Sequence, residues 1–275
     1  MSFVNALRAE VLKLTTTRLW WALLLVLVGY VAFVSGVLGA VFGGLGEKLA
    51  AVGGNVPTIP ESSLHLVVYS IASSIGYVFP VLLGALATTA EFRHQTLTPT
   101  FLATPRRGTV LGAKLVVLGV FGAGYGIAAL VASVGLGGGI LAAMGKSADF
   151  TSEDTWLLIV RVILAMALWA VIGVGLGVLV PSQVAAIVIV LAFTQFIEPI
   201  LRLVSSFWDG TSGIGQFLPG AASDALVGSS IFTVMGTGSG PVAVLDWWQG
   251  GLVLLGFAIL AAAIGYLTSW RRDVT

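Results

Sequence analysis

The chain has 275 residues, of which 57% are hydrophobic and only 9% are charged, with a formal net charge of +1 and a mean hydropathy of +1.04. A soluble domain needs more charged side chains to cover its surface, so the composition predicts an all-α polytopic membrane protein. The chain contains no cysteine, which excludes disulfides, thiolate metal sites and thiol catalysis.

The first sixteen or so residues after the initial methionine, 2–17, are predicted to form an amphipathic helix. One face of its helical wheel is apolar and carries Phe3, Val4, Leu7, Val11 and Leu14. The basic residues Arg8 and Lys13 fall outside that face. A basic amphipathic helix that leads into a membrane span is expected to lie along the cytoplasmic membrane surface. An ordinary polar flank beside the membrane explains each of these residues equally well.

Six apolar segments are long enough to cross a hydrocarbon core of about 30 Å at about 1.5 Å per residue. They are residues 19–43, 66–90, 112–142, 156–180, 184–201 and 247–269. Pro80 is expected to kink the second segment. Glycine pairs at i, i+4 occur in several segments and predict close helix packing. These pairs are Gly39/Gly43, Gly122/Gly126, Gly135/Gly139 and Gly173/Gly177.

Three details of the later segments are also predicted. The third apolar run is too long for one perpendicular crossing, so we expect Lys114 to snorkel in the cytoplasmic interface and Gly135 to Gly139 to fray the outer end. The fifth segment is short and is expected to close at Glu198, Pro199 and Arg202. Residues 203–245 mix polar and apolar pieces, which fits either an extracellular loop or short helices that re-enter the membrane.

The distribution of basic residues predicts the orientation, because six spans place both termini on one side. With that side cytoplasmic, nine basic residues lie inside: Arg8, Lys13, Arg18, Arg93, Arg106, Arg107, Lys114, Arg271 and Arg272. Four lie outside or toward the outer ends: Lys48, Lys146, Arg161 and Arg202. This bias predicts a multi-pass protein of the cytoplasmic membrane with both termini in the cytoplasm. Because the basic residues follow the membrane, nucleic-acid binding is not expected.

The polar stretch 91–108, with the sequence EFRHQTLTPTFLATPRRG, separates the second and third spans. Thr98 can cap a short helix that has Pro99 in its first turn. Thr104 and Pro105 are expected to end that helix after little more than one turn. The stretch also offers an apolar tip at Phe101 and Leu102, and basic side chains at Arg93, Arg106 and Arg107. It predicts a compact cytoplasmic element that docks on another protein, although any cytoplasmic loop beside a membrane tends to be basic.

The residues of this stretch resemble the loop between the second and third helices of ABC-2-type permeases, the membrane subunits of many bacterial ATP-driven exporters. The resemblance rests on Glu91, Phe92, Arg93, His94, Thr96, Leu97, Thr100, Phe101, Leu102, Thr104, Pro105, Arg106 and Arg107. The spacing of Glu10, Lys13, Arg18 and Trp20 resembles the opening of the same family.

The resemblance implies a coupling helix within 91–108 that docks on a separate ABC ATP-binding subunit, present in two copies. Six spans are half of the usual translocation unit of that family, which implies a second permease subunit, identical or different. It also implies that ATP and Mg²⁺ bind to the partner ATPase and that this chain binds no cofactor. The apolar spans suit a hydrophobic or amphipathic substrate that is exported.

The sequence itself offers no nucleotide site or enzyme motif. The segment from Gly139 to Ser147 is similar to a phosphate-binding loop, but five residues separate its glycines where four are needed. Neither a helical HExxH motif nor a GxSxG elbow occurs, and no pair of histidine ligands is suggested by His65 and His94. An ATP-driven role therefore requires a second protein.

Glu198 is the one acid that clearly adjoins an apolar span, and Arg202 lies at i+4 in the favourable order for an ion pair. Arg161, near the outer end of the fourth span, is a competing partner. A local structural ion pair and a role in a gate or substrate site both remain open.

Two other functions remain as alternatives. A secondary transporter would require charged residues at mid-membrane or discontinuous helices with internal repeats. A non-transporting scaffold or sensor would require only the spans and the basic loop.

Overall fold

The computed structural model describes residues 2–45, 59–207, 212–230 and 245–270, and within these ranges the chain forms helices and turns but no strand. The α-helices are α1 (Phe3–Thr15), α2 (Leu19–Ala40), α3 (Glu61–Ser74), α4 (Val78–Arg93), α5 (Leu97–Ala103), α6 (Arg107–Ala132), α7 (Gly139–Ala143), α8 (Glu153–Leu179), α9 (Gln183–Ala192), α10 (Glu198–Phe207), α11 (Ser212–Gly215), α12 (Pro219–Val227) and α13 (Trp247–Gly265). Four π-helical turns extend or join them: Val41–Leu45, Ser133–Gly138, Phe193–Ile197 and Tyr266–Trp270.

Six helical segments of the described chain are long and apolar enough to cross a membrane. In chain order, spans 1 to 6 are Leu19–Gly44, Glu61–Arg93, Arg107–Ala143, Glu153–Leu179, Gln183–Ser205 and Trp247–Trp270. Each one overlaps one of the six predicted segments, so the prediction of an all-α polytopic membrane protein is confirmed. The spans are generally longer than predicted because the helices continue past the most apolar residues into polar flanks.

Span 4 lies at the centre of the bundle and packs against spans 2, 3 and 6. Glycines permit this close approach, as the i, i+4 pairs predicted. A Cβ atom added at Gly173 would lie 2.1 Å from the carbonyl oxygen of Val81 in span 2. Gly175 approaches Ala261 of span 6 in the same way, and Gly122 of span 3 approaches Met166 and Ala170. The pair Gly135/Gly139 is different, because neither residue has a neighbouring atom within 4 Å of such a Cβ.

We expect Gly173→Ala to destabilise the protein by about 1–3 kcal/mol, because the added methyl group overlaps backbone that cannot move independently of span 2. Gly124→Ala is the matched control, since Gly124 is exposed in the same type of helix and has open space around its Cα. This control should be neutral or slightly stabilising because alanine favours helix. Thermal unfolding in detergent measures the stability of both variants. Equal unfolding midpoints for Gly173→Ala and Gly124→Ala would contradict the close packing of spans 2 and 4 at Gly173.

Span 2 is interrupted one turn before Pro80, where a proline removes the hydrogen bond to residue i−4, so the distortion predicted for this span takes the form of a break. The helix breaks at residues 75–77, between Ser74 and Val78. A Cβ at Gly76 would lie 2.1 Å from the carbonyl oxygen of Ala72, so the tight turn requires glycine. Pro80 lies in the first turn of α4, where a missing N–H costs little.

Two expectations for the outer ends of spans are wrong. The glycines after Ser133 do not fray span 3, since they form a π-helical turn whose Gly137 and Gly138 pack against Val68 and Tyr69. Span 5 does not close at Glu198, because a π-helical turn places Pro199 in the first turn of α10 and the helix continues to Phe207. Both π-helical turns thus preserve the helix where the composition suggested its end.

The described beginning and end of the chain meet at one end of the bundle. There, α1 contacts span 3, and the π-helical turn at Trp270 contacts the residues around α5. At the other end, α12 is buried against spans 2, 4 and 6. The apolar piece 231–235 of the segment 203–245 lies outside the described residues, as do Lys48, Arg271 and Arg272, which contribute to the predicted charge bias.

Candidate functional site

The stretch 91–108 folds into a short helix, α5, between spans 2 and 3. The helix begins at Leu97, so Thr98 lies within it and does not cap it; the N-cap position is Thr96, which makes no side-chain capping hydrogen bond. Gln95 precedes it with a φ of 54°, which reverses the chain after span 2. The helix ends at Ala103, before Thr104 and Pro105, as predicted.

One side of this stretch is exposed and the other is fixed to the bundle. Leu102 is 79% exposed, whereas Leu97 is only 1% exposed and anchors the helix. The other exposed side chains are Arg93, His94, Gln95, Thr96, Thr98, Pro99, Ala103, Pro105 and Arg106. Arg93 Nη1 donates to Gln183 Oε1 at the start of span 5, at 2.9 Å. Leu102 and Arg106 therefore form the accessible apolar and basic tip.

Phe101 and Arg107 are held by Trp270 instead of being fully exposed. The rings of Phe101 and Trp270 meet edge to face at 5.5 Å, and the Arg107 guanidinium lies 4.9 Å above the Phe101 ring. Arg107 Nη1 donates to the carbonyl oxygen of Trp270, and Trp270 Nε1 donates to that of Arg107, at 3.2 and 3.0 Å. Phe92 packs on the same indole. Sequence reasoning missed Trp270, although a Trp at the end of the last span gave a signal.

Four charged side chains, here called the α1 cluster, lie beside α5: Glu10, Lys13, Glu91 and Lys114. Lys13 Nζ lies 2.7 Å from both Glu10 Oε1 and Glu91 Oε1, and 3.3 Å from Thr100 Oγ1 of α5. Lys114 Nζ lies 2.5 Å from Glu10 Oε2 and 3.2 Å from Glu91 Oε1. The cluster thus joins α1, the end of span 2, α5 and the first part of span 3.

The prediction that Lys114 snorkels is wrong, because its side chain is only 3% exposed. Glu10 and Glu91 provide its counter-charges, and their side chains are 6% and 7% exposed. A buried charge is retained only where such partners offset its desolvation. Removal of Lys114 therefore leaves Glu10 and Glu91 buried with only the ammonium group of Lys13 between them.

Helix α1 contributes Glu10 and Lys13 to this cluster from its polar side. Its protein-facing residues are Ala6, Glu10 and Leu14, while Phe3 and Val4 and the apolar residues Val11 and Leu12 are exposed. The apolar face found on the helical wheel thus points mostly away from the bundle. Arg18 is exposed at the start of span 1 and takes no part in the cluster. The position of α1 on the membrane surface stays a prediction.

The electrostatics of the α1 cluster favour its charged form. Burial disfavours the ionised form of Glu10, but the ammonium groups of Lys114 and Lys13 outweigh it and hold the pKa of Glu10 below its ordinary value of 4.5. Burial likewise disfavours charge on Lys13, yet the carboxylates of Glu91 and Glu10 raise the pKa of Lys13 above 10.5. Both groups are therefore ionised at neutral pH.

We expect the protein to lose stability as the pH falls below 4.5, because a carboxyl whose pKa is lowered by folding stabilises the fold fully above its unfolded pKa and loses that contribution as it is protonated. The unfolding midpoint in detergent, followed from pH 7 to pH 3.5, measures the effect. Glu10→Gln should flatten this pH dependence, and Glu61→Gln, at a largely exposed carboxylate, should leave it unchanged. A Glu10→Gln profile as steep as that of the wild type would contradict the assignment.

A second group of charges, here called the α12 cluster, consists of the buried acids Glu198 and Asp224 and the partly buried Arg202. Glu198 and Arg202 form the ion pair that their spacing predicted, with Arg202 Nη2 2.9 Å from Glu198 Oε1. Arg202 Nη1 also lies 2.6 Å from Asp224 Oδ2 of α12. Arg161 instead lies 4.8 Å from the Trp247 ring. Sequence reasoning missed Asp224, because a lone acid in a Gly- and Ser-rich segment resembles a loop residue.

The α12 cluster ties α12 to the break in span 2. Ser74, the last residue of α3, lies 3.3 Å from both Asp224 Oδ1 and Ser230 Oγ. The backbone N–H of Ala221 donates to Glu198 Oε1 at 3.1 Å. Glu198 itself is 1% exposed. Two acids are therefore buried inside the bundle, of which the sequence indicated only Glu198.

No protein-family model matches this chain, and no curated protein has a significantly similar sequence.

Proposed function

We propose that this chain is the permease subunit of an ATP-driven exporter of the ABC-2 type. The observation that carries the proposal is the exposed tip formed by Leu102 of the short helix α5 and by Arg106, which follows the helix, while the α1 cluster and Trp270 hold the base of α5. An exposed apolar side chain beside a basic one, on a rigid support, suits contact with another protein.

The contacts of α5 suggest how a displacement of this helix would be transmitted to the spans. Thr100 is joined through Lys13 to α1 and to Glu91 of span 2, and Lys114 joins span 3 to the same carboxylates. Closure of a bound ATPase would move α5, α1 and the ends of spans 2 and 3 together. The ATPase has to bind one arrangement of these helices more tightly than the other, since otherwise ATP hydrolysis shifts no equilibrium.

The proposed complex contains two permease chains, alike or different, and two ATP-binding subunits that carry ATP and Mg²⁺. Its cytoplasmic end is the end with α1 and α5, because Arg93, Arg106 and Arg107 gather there with Lys13 and Lys114. The proposed location is the cytoplasmic membrane, and the proposed cargo is a hydrophobic or amphipathic molecule.

A photo-crosslinking amino acid at position 102 tests the partner directly, since the Leu102 side chain is 79% exposed. In the native membrane we expect it to form a covalent product with an ATP-binding protein. The same amino acid at position 33 in span 1, where Phe33 is 67% exposed, is the control and should yield no such product. Crosslinks from both positions, or from neither, would contradict the proposal.

We expect the double change Leu102→Glu and Arg106→Glu to lower permease-stimulated ATP hydrolysis about tenfold. The change removes one apolar and one charged contact with the ATPase, and a total loss of about 1.4 kcal/mol in binding free energy corresponds to a factor of ten. Substitutions at these two exposed residues should affect docking without disturbing the fold. A change at Arg107 would affect both, because its contacts with Phe101 and Trp270 also hold the bundle together. Hydrolysis by the purified complex provides the measurement, and gel filtration checks that the permease is intact. Unchanged hydrolysis would mean that α5 is not the coupling element.

An ion-coupled secondary transporter is the second candidate, because span 2 is broken beside the buried Glu198, Arg202 and Asp224. A discontinuous helix next to buried charges is typical of ion-coupled sites. Transport into vesicles driven by an ion gradient without ATP would favour this candidate. Transport that requires ATP and the partner subunit would favour the exporter.

A further inference from the structure

Arg161 is a charged residue on the outward-facing surface of span 4. Leu157 and Leu164 lie at i−4 and i+3 from it, so the three side chains share one face of the helix. This face is open to the surroundings, since Leu157 and Leu164 are 39% and 48% exposed and Arg161 is partly exposed. The adjacent Val162 faces the bundle and is buried. An apolar surface that would contact lipid therefore carries one guanidinium group.

The guanidinium of Arg161 reaches the end of the bundle at which span 4 begins. Helix α8 has 27 residues. It is therefore about 40 Å long, which exceeds a hydrocarbon core of about 30 Å. From Glu153, its first residue, to Arg161 the helix rises about 12 Å. Helical side chains lean toward the N-terminus, so a long arginine extends from this depth toward the headgroup layer. In agreement, the guanidinium lies 4.8 Å above the ring of Trp247, the first residue of α13.

The five N–H groups of this guanidinium have no acceptor in the described part of the chain. Arg161 forms no ion pair or hydrogen bond there, in contrast to Lys146, which is paired with an acid. Asp246, the exposed acid beside Trp247, instead accepts from the backbone of its own helix. Arg161 Nη1 lies beside Gly228 at the C-terminal end of α12, whose partial negative charge orients the guanidinium without accepting a hydrogen bond. The site therefore presents unpaired donors and a positive charge.

A phosphate group is the acceptor that a membrane supplies at this depth. A guanidinium binds phosphate through two parallel N–H bonds, which are stronger than hydrogen bonds between neutral groups. We propose that Arg161, with Trp247 beside it, binds the phosphate group of a phospholipid in the leaflet at the α12 end of the bundle. The acyl chains of this lipid follow the exposed side chains of Leu157, Val160 and Leu164. The inference concerns the lipid-facing surface and does not depend on the proposed function.

Photocrosslinking of the purified full chain in detergent tests this site. The probe is phosphatidylglycerol with a diazirine on an acyl carbon near the glycerol, and mass spectrometry should map its label to residues 157–164. Glucosyl diacylglycerol with the same chains has no phosphate and should label this segment about tenfold less, as loss of a charge-assisted hydrogen bond would produce. Equal labelling by the two lipids, or none by phosphatidylglycerol, would overturn the proposal. Suppression of the label by an equal concentration of inorganic phosphate would also overturn it, since the acyl chains would then contribute nothing.

Variants show whether the label depends on the guanidinium. Arg161→Gln should lower labelling by phosphatidylglycerol about tenfold, because the amide cannot form the charged bond. Lys146→Gln is the matched control, since Lys146 lies at the same end of the bundle and is already paired with Glu61, and it should leave the labelling unchanged. Trp247→Leu, at a residue that is 53% exposed, should lower labelling several-fold and provides an independent test if Arg161→Gln does not fold. Wild-type labelling in either folded variant of the site would overturn the proposal.

Discussion

Lys114→Met is expected to destabilise the protein by about 3–5 kcal/mol, the cost of removing one partner from a buried ion pair. The methionine side chain fills most of the space of the lysine but leaves Glu10 and Glu91 with one ammonium group instead of two. The free energy of unfolding, measured by denaturant titration in mixed micelles, should show the loss. The effect is large because Lys114 lies 2% exposed within the bundle.

The matched control is Lys146→Met, at a lysine paired with Glu61 near the opposite end of the bundle. Lys146 Nζ lies 3.4 Å from Glu61 Oε1, and the two side chains are 28% and 62% exposed. Loss of this exposed pair should therefore lower the free energy of unfolding by only about 0–1 kcal/mol. Adding Glu10→Gln to Lys114→Met should recover about 1–3 kcal/mol, because the two residues interact directly. If Lys114→Met cost no more than Lys146→Met, the α1 cluster would contribute little to stability.

The parts of this fold that depend on local composition could be predicted from the sequence. Long apolar runs predict helices in a membrane regardless of their neighbours, which is why all six spans were found. The end of α5 was also predictable, because Thr104 and Pro105 stop a helix through local backbone sterics. Its start was placed two residues late, because Thr98 was taken as a cap that the helix does not use.

The parts that depend on contacts between distant residues could not be predicted. Lys114 alone at the start of a span predicts snorkelling, and its burial depends on Glu10, which is 104 residues away. The helical wheel of α1 identified its apolar face, but not that most of that face would be exposed while Glu10 is buried. Asp224 likewise acquires its role only from Arg202 and Ser74, which lie on other helices.

The two clusters hold the two parts of span 2 separately. Glu91 fixes the end of α4 to α1 and span 3, whereas Ser74 ties the end of α3 to α12. The turn at residues 75–77 lies between these attachments. Span 2 is the most buried of the six spans, since 83% of the residues in its most apolar stretch are buried. A displacement that begins at α5 would therefore reach α12 through this turn or through span 4, which packs against both parts. After the α1 cluster, the attachment of α12 is therefore the second place where a single substitution should have a large effect on stability.

Arg202→Met is expected to release α12 from the bundle. It leaves Glu198 and Asp224 buried without their shared cation, at a cost of about 3–5 kcal/mol. Because about 1.4 kcal/mol corresponds to a factor of ten, the fraction of molecules with α12 detached should rise roughly a hundredfold or more. Ser223 reports this motion, since it is 3% exposed and its hydroxyl accepts from Trp169 Nε1 at 3.0 Å.

The measurement is the labelling rate of Ser223→Cys by a membrane-impermeant maleimide, and the chain has no other cysteine to react. Labelling should be slow in the otherwise wild-type chain and at least tenfold faster with Arg202→Met. Arg18→Met is the control, because Arg18 is exposed at the start of span 1 at the opposite end of the bundle from α12, and it should leave labelling slow. Adding Glu198→Gln and Asp224→Asn to Arg202→Met removes the unpaired charges and should restore most of the protection. Fast labelling that persisted in this neutral triple variant would show that α12 is held by packing of the arginine side chain and not by its charge.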